Sequence, residues 1–300
     1  MSLPRGVDAQ RRTLLGAAAM LATGCKPAGA YEVRTERAPF VIASQYKPSF
    51  TEEFSVADLS RFSEDGRISV DGAPAWRSRY RHPRKDFINQ EKQIYVDSAY
   101  AGSGKVPLGL NPFHVQDGIF SIIAERTLAR HRPVLYGQGY TSGCITTERS
   151  FAQQYGYFEM RARLPLGKSF WPSFWLMPLR DAWPPEIDIF EASGSRPGRL
   201  HFAARNPGDK KGAGSDWIDV QRPADGWQTF ACEWTDTQIS FIVDGIRVWA
   251  VRGHKVHEPM YLLANLALGS HEPNWIPNPD ETTPLPARFQ IDYIRVFSRG

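Results

Sequence analysis

The sequence predicts an all-β domain in which two sheets stack as a sandwich or jelly roll. Three observations carry that reading. Past the amino terminus no segment repeats its apolar residues at helical period, whereas short alternating or β-branched runs recur between Gly, Pro, Asn and Asp. Two such runs, 238–243 and 246–251, flank Asp244-Gly245, a hairpin signal because a type I′ turn needs positive φ at both central positions. Finally, 300 residues with 42% hydrophobic and 12% aromatic content supply one large core, and many short strands in one domain bury best as two layers.

Taken in chain order, the first element is an export signal over residues 1–24. Arg11-Arg12 precede the uncharged stretch 13–24, a positive n-region followed by an apolar h-region that ends in small residues. That stretch is too short to span a bilayer. Gln10-Arg11-Arg12-Thr13-Leu14-Leu15 resembles the twin-arginine export pattern. Ala22-Thr23-Gly24-Cys25 resembles a lipoprotein processing box, in which Cys25 is lipidated and becomes the first mature residue. An ordinary secretory peptide cut nearby is the other reading. Both place the mature protein outside the cytoplasm, as a periplasmic, envelope-anchored or secreted species. Residues 25–45 read as a short linker and 46–300 as one domain, expected to be monomeric, without internal repeats.

Within the domain, Phe158, Met160, Ala162 and Leu164 alternate with Glu159, Arg161 and Arg163, as a strand with one buried and one wet face should. Residues 289–297 form a last strand. Cys144 and Cys232 have neither metal-like nor redox-like spacing and read as packing residues. Trp175, Trp234 and Trp249 read as core.

Charge excludes one function class. The chain has 36 basic and 32 acidic residues, and removing Arg5, Arg11, Arg12 and Asp8 with the signal leaves 33 against 31. A nucleic-acid binder concentrates a clear basic excess, so none is expected as a partner.

The most informative stretch is Pro185-Glu186-Ile187-Asp188-Ile189-Phe190-Glu191-Ala192-Ser193-Gly194. On a regular strand Glu186 and Asp188 share one face, but Glu191 falls out of phase and would enter the core. Burying a lone carboxylate is costly, so a bulge near Ile189-Phe190 is the natural repair: one extra residue returns Glu191 to the acidic face. The resulting row has three readings: a solvated face, a hard-cation site, or a glycosidase pair with a helper acid. The flanking Trp183-Pro184-Pro185 and Phe170-Trp171-Pro172-Ser173-Phe174-Trp175 favour the last, because flat aromatic faces stack on pyranose rings while carboxyls bond the hydroxyls.

Glu186-Ile187-Asp188-Ile189-Phe190-Glu191 resembles the bulged catalytic signature of glycoside hydrolase family 16. The resemblance runs from about Phe50 to Phe297, through Asn89-Gln90-Glu91-Lys92-Gln93-Ile94-Tyr95, Tyr155-Gly156-Tyr157-Phe158-Glu159, Asn265-Leu266-Ala267-Leu268-Gly269 and Asp292-Tyr293-Ile294-Arg295-Val296. It implies a concanavalin A-like jelly roll with a concave cleft, and endo-cleavage of a β-linked polysaccharide with retained configuration. By position Glu186 is the nucleophile, Glu191 the acid/base, and Asp188 the residue that bonds Glu186 and holds the local proton. Trp171 and Trp183 are candidates for sugar stacking. Asn89, Glu91 and Asn265 match polar cleft positions, and His201 is a candidate for a sugar hydroxyl.

The same resemblance sets the remaining expectations. The chemistry requires no cofactor. Asp292 matches a carboxylate that binds a structural calcium in many relatives, with an ordinary surface pair as the alternative. The family often has arginine where this chain has Cys144 and histidine where it has Gln228, which bears on substrate preference and packing. Arg77, Arg79 and Arg81 stand at period two before the cleft-edge segment; they read as a solvated edge or as an anion-tolerant rim suited to carboxylate- or sulfate-bearing polymers. β-1,3- or mixed β-1,3-1,4-glucan is the expected substrate. A galactan-type or acidic polymer, transglycosylation and a non-catalytic sugar-binding sandwich are the alternatives.

Overall fold

The computed structural model describes residues 32–55, 62–63, 76–209, 214–223, 225–270, 272 and 274–300. The signal residues and Cys25 lie outside them. Strands are numbered in chain order. One sheet runs β1 (Glu32–Pro39), β17 (Ile246–Arg252), β16 (Gln238–Val243), β15 (Trp227–Trp234), β10 (Gly156–Arg163), β19 (Ala287–Arg299), β7 (Ile119–Arg126), β8 (Tyr140–Ser142) and β5 (Gln93–Tyr95). To it β2 (Tyr46–Glu52) adds on β19 and β6 (Phe113–Gln116) on β7. The other sheet runs β14 (Ser215–Asp219), β13 (Arg199–Arg205), β12 (Glu186–Ala192), β11 (Phe170–Pro178), β18 (Met260–Leu268), β9 (Cys144–Thr146), β4 (Trp76–Arg77) and β3 (Phe62–Ser63).

Alternation decides which faces meet. From β10, Phe158, Met160 and Ala162 enter the core; from β18, Met260, Leu262, Ala264, Leu266 and Leu268 come from the facing sheet. Each large side chain removed from water contributes roughly 1.5–3 kcal/mol, so the two apolar faces hold the layers together. Cys232 lies in this core and Cys144 is buried in the second sheet, both as free thiols. Trp234 and Trp249 are fully buried. The hairpin forms as expected, with φ of 49° at Asp244 and 72° at Gly245.

Two expectations are corrected. Residues 32–39, placed in the linker, form edge strand β1 and pair with β17, with Glu32 opposite Arg252 and Pro39 opposite Ile246. That segment lacks the strict alternation of a half-buried strand, and the exposed edge of β17 recruits it through backbone hydrogen bonds. Arg77, Arg79 and Arg81 do not form one solvated edge. Arg77 is buried and ion-paired with Glu148, Arg79 folds onto the Tyr80 and Arg81 carbonyls, and Arg81 reaches the Pro178 carbonyl at 2.6 Å.

Candidate active site

The bulge on β12 is present. Glu186 lies opposite Arg205, Asp188 opposite Ala203 and Glu191 opposite His201, so three steps on β12 match two on β13. Ile189 and Phe190 both enter the core, where Phe190 packs on Phe230 with ring centroids 4.2 Å apart. All three carboxyls consequently face the outside of the second sheet. The strand ends where Gly194 passes close to another loop: a Cβ there would stand 2.5 Å from the Gly167 carbonyl oxygen, so only glycine fits.

The pairings arrange the side chains on that face in rows. Cys144, Asn265, Ser173, Glu191, His201 and Trp217 are successive partners across six strands. A second row carries Leu263, Trp175, Asp188, Ala203 and Ser215, and a third begins with Glu186 and Arg205. These rows floor a groove of about 700 Å³. One wall is the segment carrying Tyr80, Asn89 and Glu91, pinned by the buried Arg84–Asp97 ion pair; the other includes Glu272 and Trp275.

Each glutamate has a hydrogen-bond partner on each oxygen. Trp183 Nε1 donates to Glu186 Oε2 at 3.0 Å and Arg205 Nε to Oε1 at 3.0 Å. Trp171 Nε1 donates to Glu191 Oε1 at 2.9 Å, and His201 Nδ1 bonds Oε2 at 2.8 Å. Asp188 hydrogen-bonds Glu186, and Arg205 Nη2 lies 3.8 Å from its Oδ2. Burial drives the Asp188 carboxyl well above the usual range, and the negative charges of Glu186 and Glu191 push it further against the opposing pull of Arg205. Glu186 is raised by burial and by Glu191, with Arg205 and the Trp183 donor acting against both. Asp188 is thus raised further than Glu186, so the pair shares a proton, and the guanidinium and indole on Glu186 favour its charged form.

The predicted binding residues converge here. Trp171, Trp183, Asn89, Glu91, His201 and Asn265 all line the groove. Trp183 is 57% exposed, which leaves a ring face free for stacking. His201 is the partner of Glu191 rather than an isolated group. Glu91 is buried and accepts from Gln93 Nε2 at 2.6 Å and Tyr95 at 3.2 Å; burial pushes its carboxyl up to about 7 despite those donors. Asn265 joins it through Tyr95, donating to that hydroxyl at 3.1 Å, and accepts from Trp175 Nε1 at 2.8 Å.

Trp175 is thus corrected from core to groove. It lies on the same face as Trp171 and Ser173, a period-two relation visible in the sequence. Arg205 was missed, although it alternates with His201 and Ala203. Trp275 packs edge-on to His201 with centroids 4.4 Å apart, and no periodicity in its irregular segment announces it. The Asp292 carboxylate is ion-paired with Arg161, and Arg161 and Arg163 both lie against Trp227. A cation there would meet a guanidinium already on the ligand oxygen, so these residues do not fit a calcium and the surface pair is the reading they support. Among the described residues, the groove lining carries five carboxyl groups, Glu91, Glu186, Asp188, Glu191 and Glu272, against the guanidiniums of Arg81 and Arg205, a balance that does not favour the anion-tolerant rim.

A two-layer β-sandwich with a row of carboxyls and indoles along an open groove is the class that the fold and site define. The family model for glycosyl hydrolases family 16 matches residues 110–295, and the chain belongs to that family. Endo-1,3-1,4-beta-glycanase EglC of Rhizobium meliloti (strain 1021) is 32% identical over 256 residues, covering 83% of this chain and 51% of that protein. The glucan endo-1,3-beta-glucosidase of Cryptopygus antarcticus is 32% identical over 213 residues, covering 61% of this chain and 71% of its own length. The laminarinase catalytic domain from Thermotoga maritima MSB8 superposes with a TM-score of 0.66 at 27% identity, over 84% of this chain and 98% of that one. The chain spans about half the length of the first curated relatives it matches.

Proposed function

We propose that this protein is an exported, endo-acting, retaining glycoside hydrolase that cleaves β-1,3- or mixed β-1,3-1,4-glucan. The observation that carries the reading is the pair of glutamates on one bulged strand, each bonded at both oxygens, with Asp188 between them and hydrogen-bonded to Glu186. A retaining glycosidase needs one carboxylate to attack and one carboxyl to deliver a proton, about 5 Å apart. Glu186 attacks the anomeric carbon and forms the glycosyl ester as Glu191 protonates the departing oxygen. Glu191 then takes a proton from water, which displaces Glu186 and restores the original configuration. The indoles of Trp171, Trp175 and Trp183 supply apolar faces for the sugar rings.

The relatives' names support the glucan: EglC is named for 1,3-1,4-beta-glycan and the Cryptopygus antarcticus protein for 1,3-beta-glucan. A panel of laminarin, mixed-linkage glucan, agar and carrageenan, read by product mass, tests this. Oligosaccharides from the first two are expected; products from only the galactans would overturn the substrate, and none from any would favour a binding module. Export rests on Arg11-Arg12 and the small residues before Cys25. A Cys25→Ser protein should leave the membrane fraction, and one equally membrane-bound would sink the anchor.

A further inference from the structure

The two glutamates are chemically identical, yet the reaction needs one permanently charged and the other able to exchange a proton. Both receive an indole. What differs is the partner from β13, where His201 and Arg205 stand four residues apart on one face and flank Ala203, the partner of Asp188. Glu186 meets a guanidinium, a fixed cation with donors only; Glu191 meets an imidazole nitrogen, which donates or accepts according to its tautomer. We propose that Arg205 is a positioning residue of the reaction, holding Glu186 ionised and oriented for attack while the shared proton stays on Asp188.

This rests on the glycosidase reading above and adds the residue that makes its two carboxyls unequal. Arg205 is set for the task. Its side chain is 15% exposed, its Nε bonds one Glu186 oxygen at 3.0 Å, and its Nη2 lies 3.8 Å from Asp188, so one rigid fork spans both. That leaves the other Glu186 oxygen to Trp183. Among the described residues, the charged groups facing the pair are Asp188 and Glu191 on β12, His201 on β13, Arg81, His82 and Glu91 on one wall and Glu272 on the other. Of these cations, Arg81 is turned to the Pro178 and Arg180 carbonyls and Asp181, so it does not replace Arg205 beside Glu186. Without Arg205, burial and the Glu191 charge would act on Glu186 without its guanidinium counterweight, and the nucleophile would protonate at higher pH.

The test is the pH dependence of kcat/KM on laminarin for the parent, Arg205→Met and Arg205→Lys, together with the carboxyl ¹³C titration of Glu186 in each, assigned by Glu186→Gln. In Arg205→Met, kcat/KM should fall about a hundredfold near neutral pH, with KM within about threefold, and the acid limb should move up by about one pH unit or more. Arg205→Lys should restore much of the limb and less of the rate, because charge returns without the fork. An unmoved Glu186 titration and acid limb in Arg205→Met would overturn the proposal, as would a loss carried wholly by KM. If Arg205→Met does not fold, Arg205→Gln reads the same two quantities. Failure of the parent to cleave any glucan would instead sink the glycosidase reading, and the ¹³C titration would still report on Arg205.

Discussion

The outer faces of the two sheets carry the same residue types and use them in opposite ways. On the first sheet acids and arginines neutralise one another in the open: Asp292 pairs with Arg161, and Glu53 takes two bonds from Arg295 at 2.7 and 2.9 Å. The Arg295 bonds hold the Glu53 carboxyl below its ordinary value. On the second sheet, burial raises Glu186 and Asp188, and Arg205 counters it only in part. The difference teaches that an alternating acidic strand becomes chemically useful when its carboxyls are desolvated and short of counter-charge, which forces a proton to be shared.

Glu186→Ala should show the largest contrast between the faces. Hydrolysis is expected to fall on the order of 10⁴-fold or more on every glucan that the parent cleaves, as reducing-end release will show. For Glu191→Ala, loss on glucan should be about 10²- to 10⁴-fold, and an aryl glycoside whose leaving group needs no proton should still give a burst of released phenol. Asp188→Asn keeps both reacting groups and should retain turnover within about 10- to 100-fold with a shifted pH profile. Near-parent activity for Glu186→Ala would place the chemistry elsewhere.

Glu91 sharpens the comparison through stability. Its carboxyl titrates at about 7 in the folded protein against an ordinary 4.5, so between those values the folded state holds a proton that the unfolded chain has lost. Stability contributed by that proton is complete below about 4.5 and is lost as pH rises to about 7. In Glu91→Gln this part of the decline should disappear from melting curves taken across that window, and an unchanged decline would assign it to another group. On the first sheet, Arg161→Ala should cost less than about 1 kcal/mol and leave kcat/KM within about twofold, since a half-exposed pair is screened by water.

The acid row was legible because desolvation leaves a sequence little choice: a third carboxyl out of phase by one residue must be returned to the surface, and the structure returns it by the bulge at Ile189-Phe190. The β10 alternation and the Asp244-Gly245 hairpin were legible for equally local reasons. Trp175 was misread because a large aromatic is most often core; its phase with Trp171 was the better guide. The partnership of Arg205 with Glu186 spans nineteen residues and depends on which strand lies beside β12, a question of topology that no local period answers. Edge strand β1 is likewise set by its neighbour rather than by its own pattern.

The central claim is that Glu186 carries the glycosyl group between the two half-reactions. The direct measurement is to trap that species with a 2-deoxy-2-fluoro-β-glucoside bearing a good leaving group, digest the protein and locate the added mass by peptide sequencing. The account predicts the label on Glu186. A label on Asp188 or Glu191, or glucan cleaved with inverted configuration and no trapped ester, would contradict it.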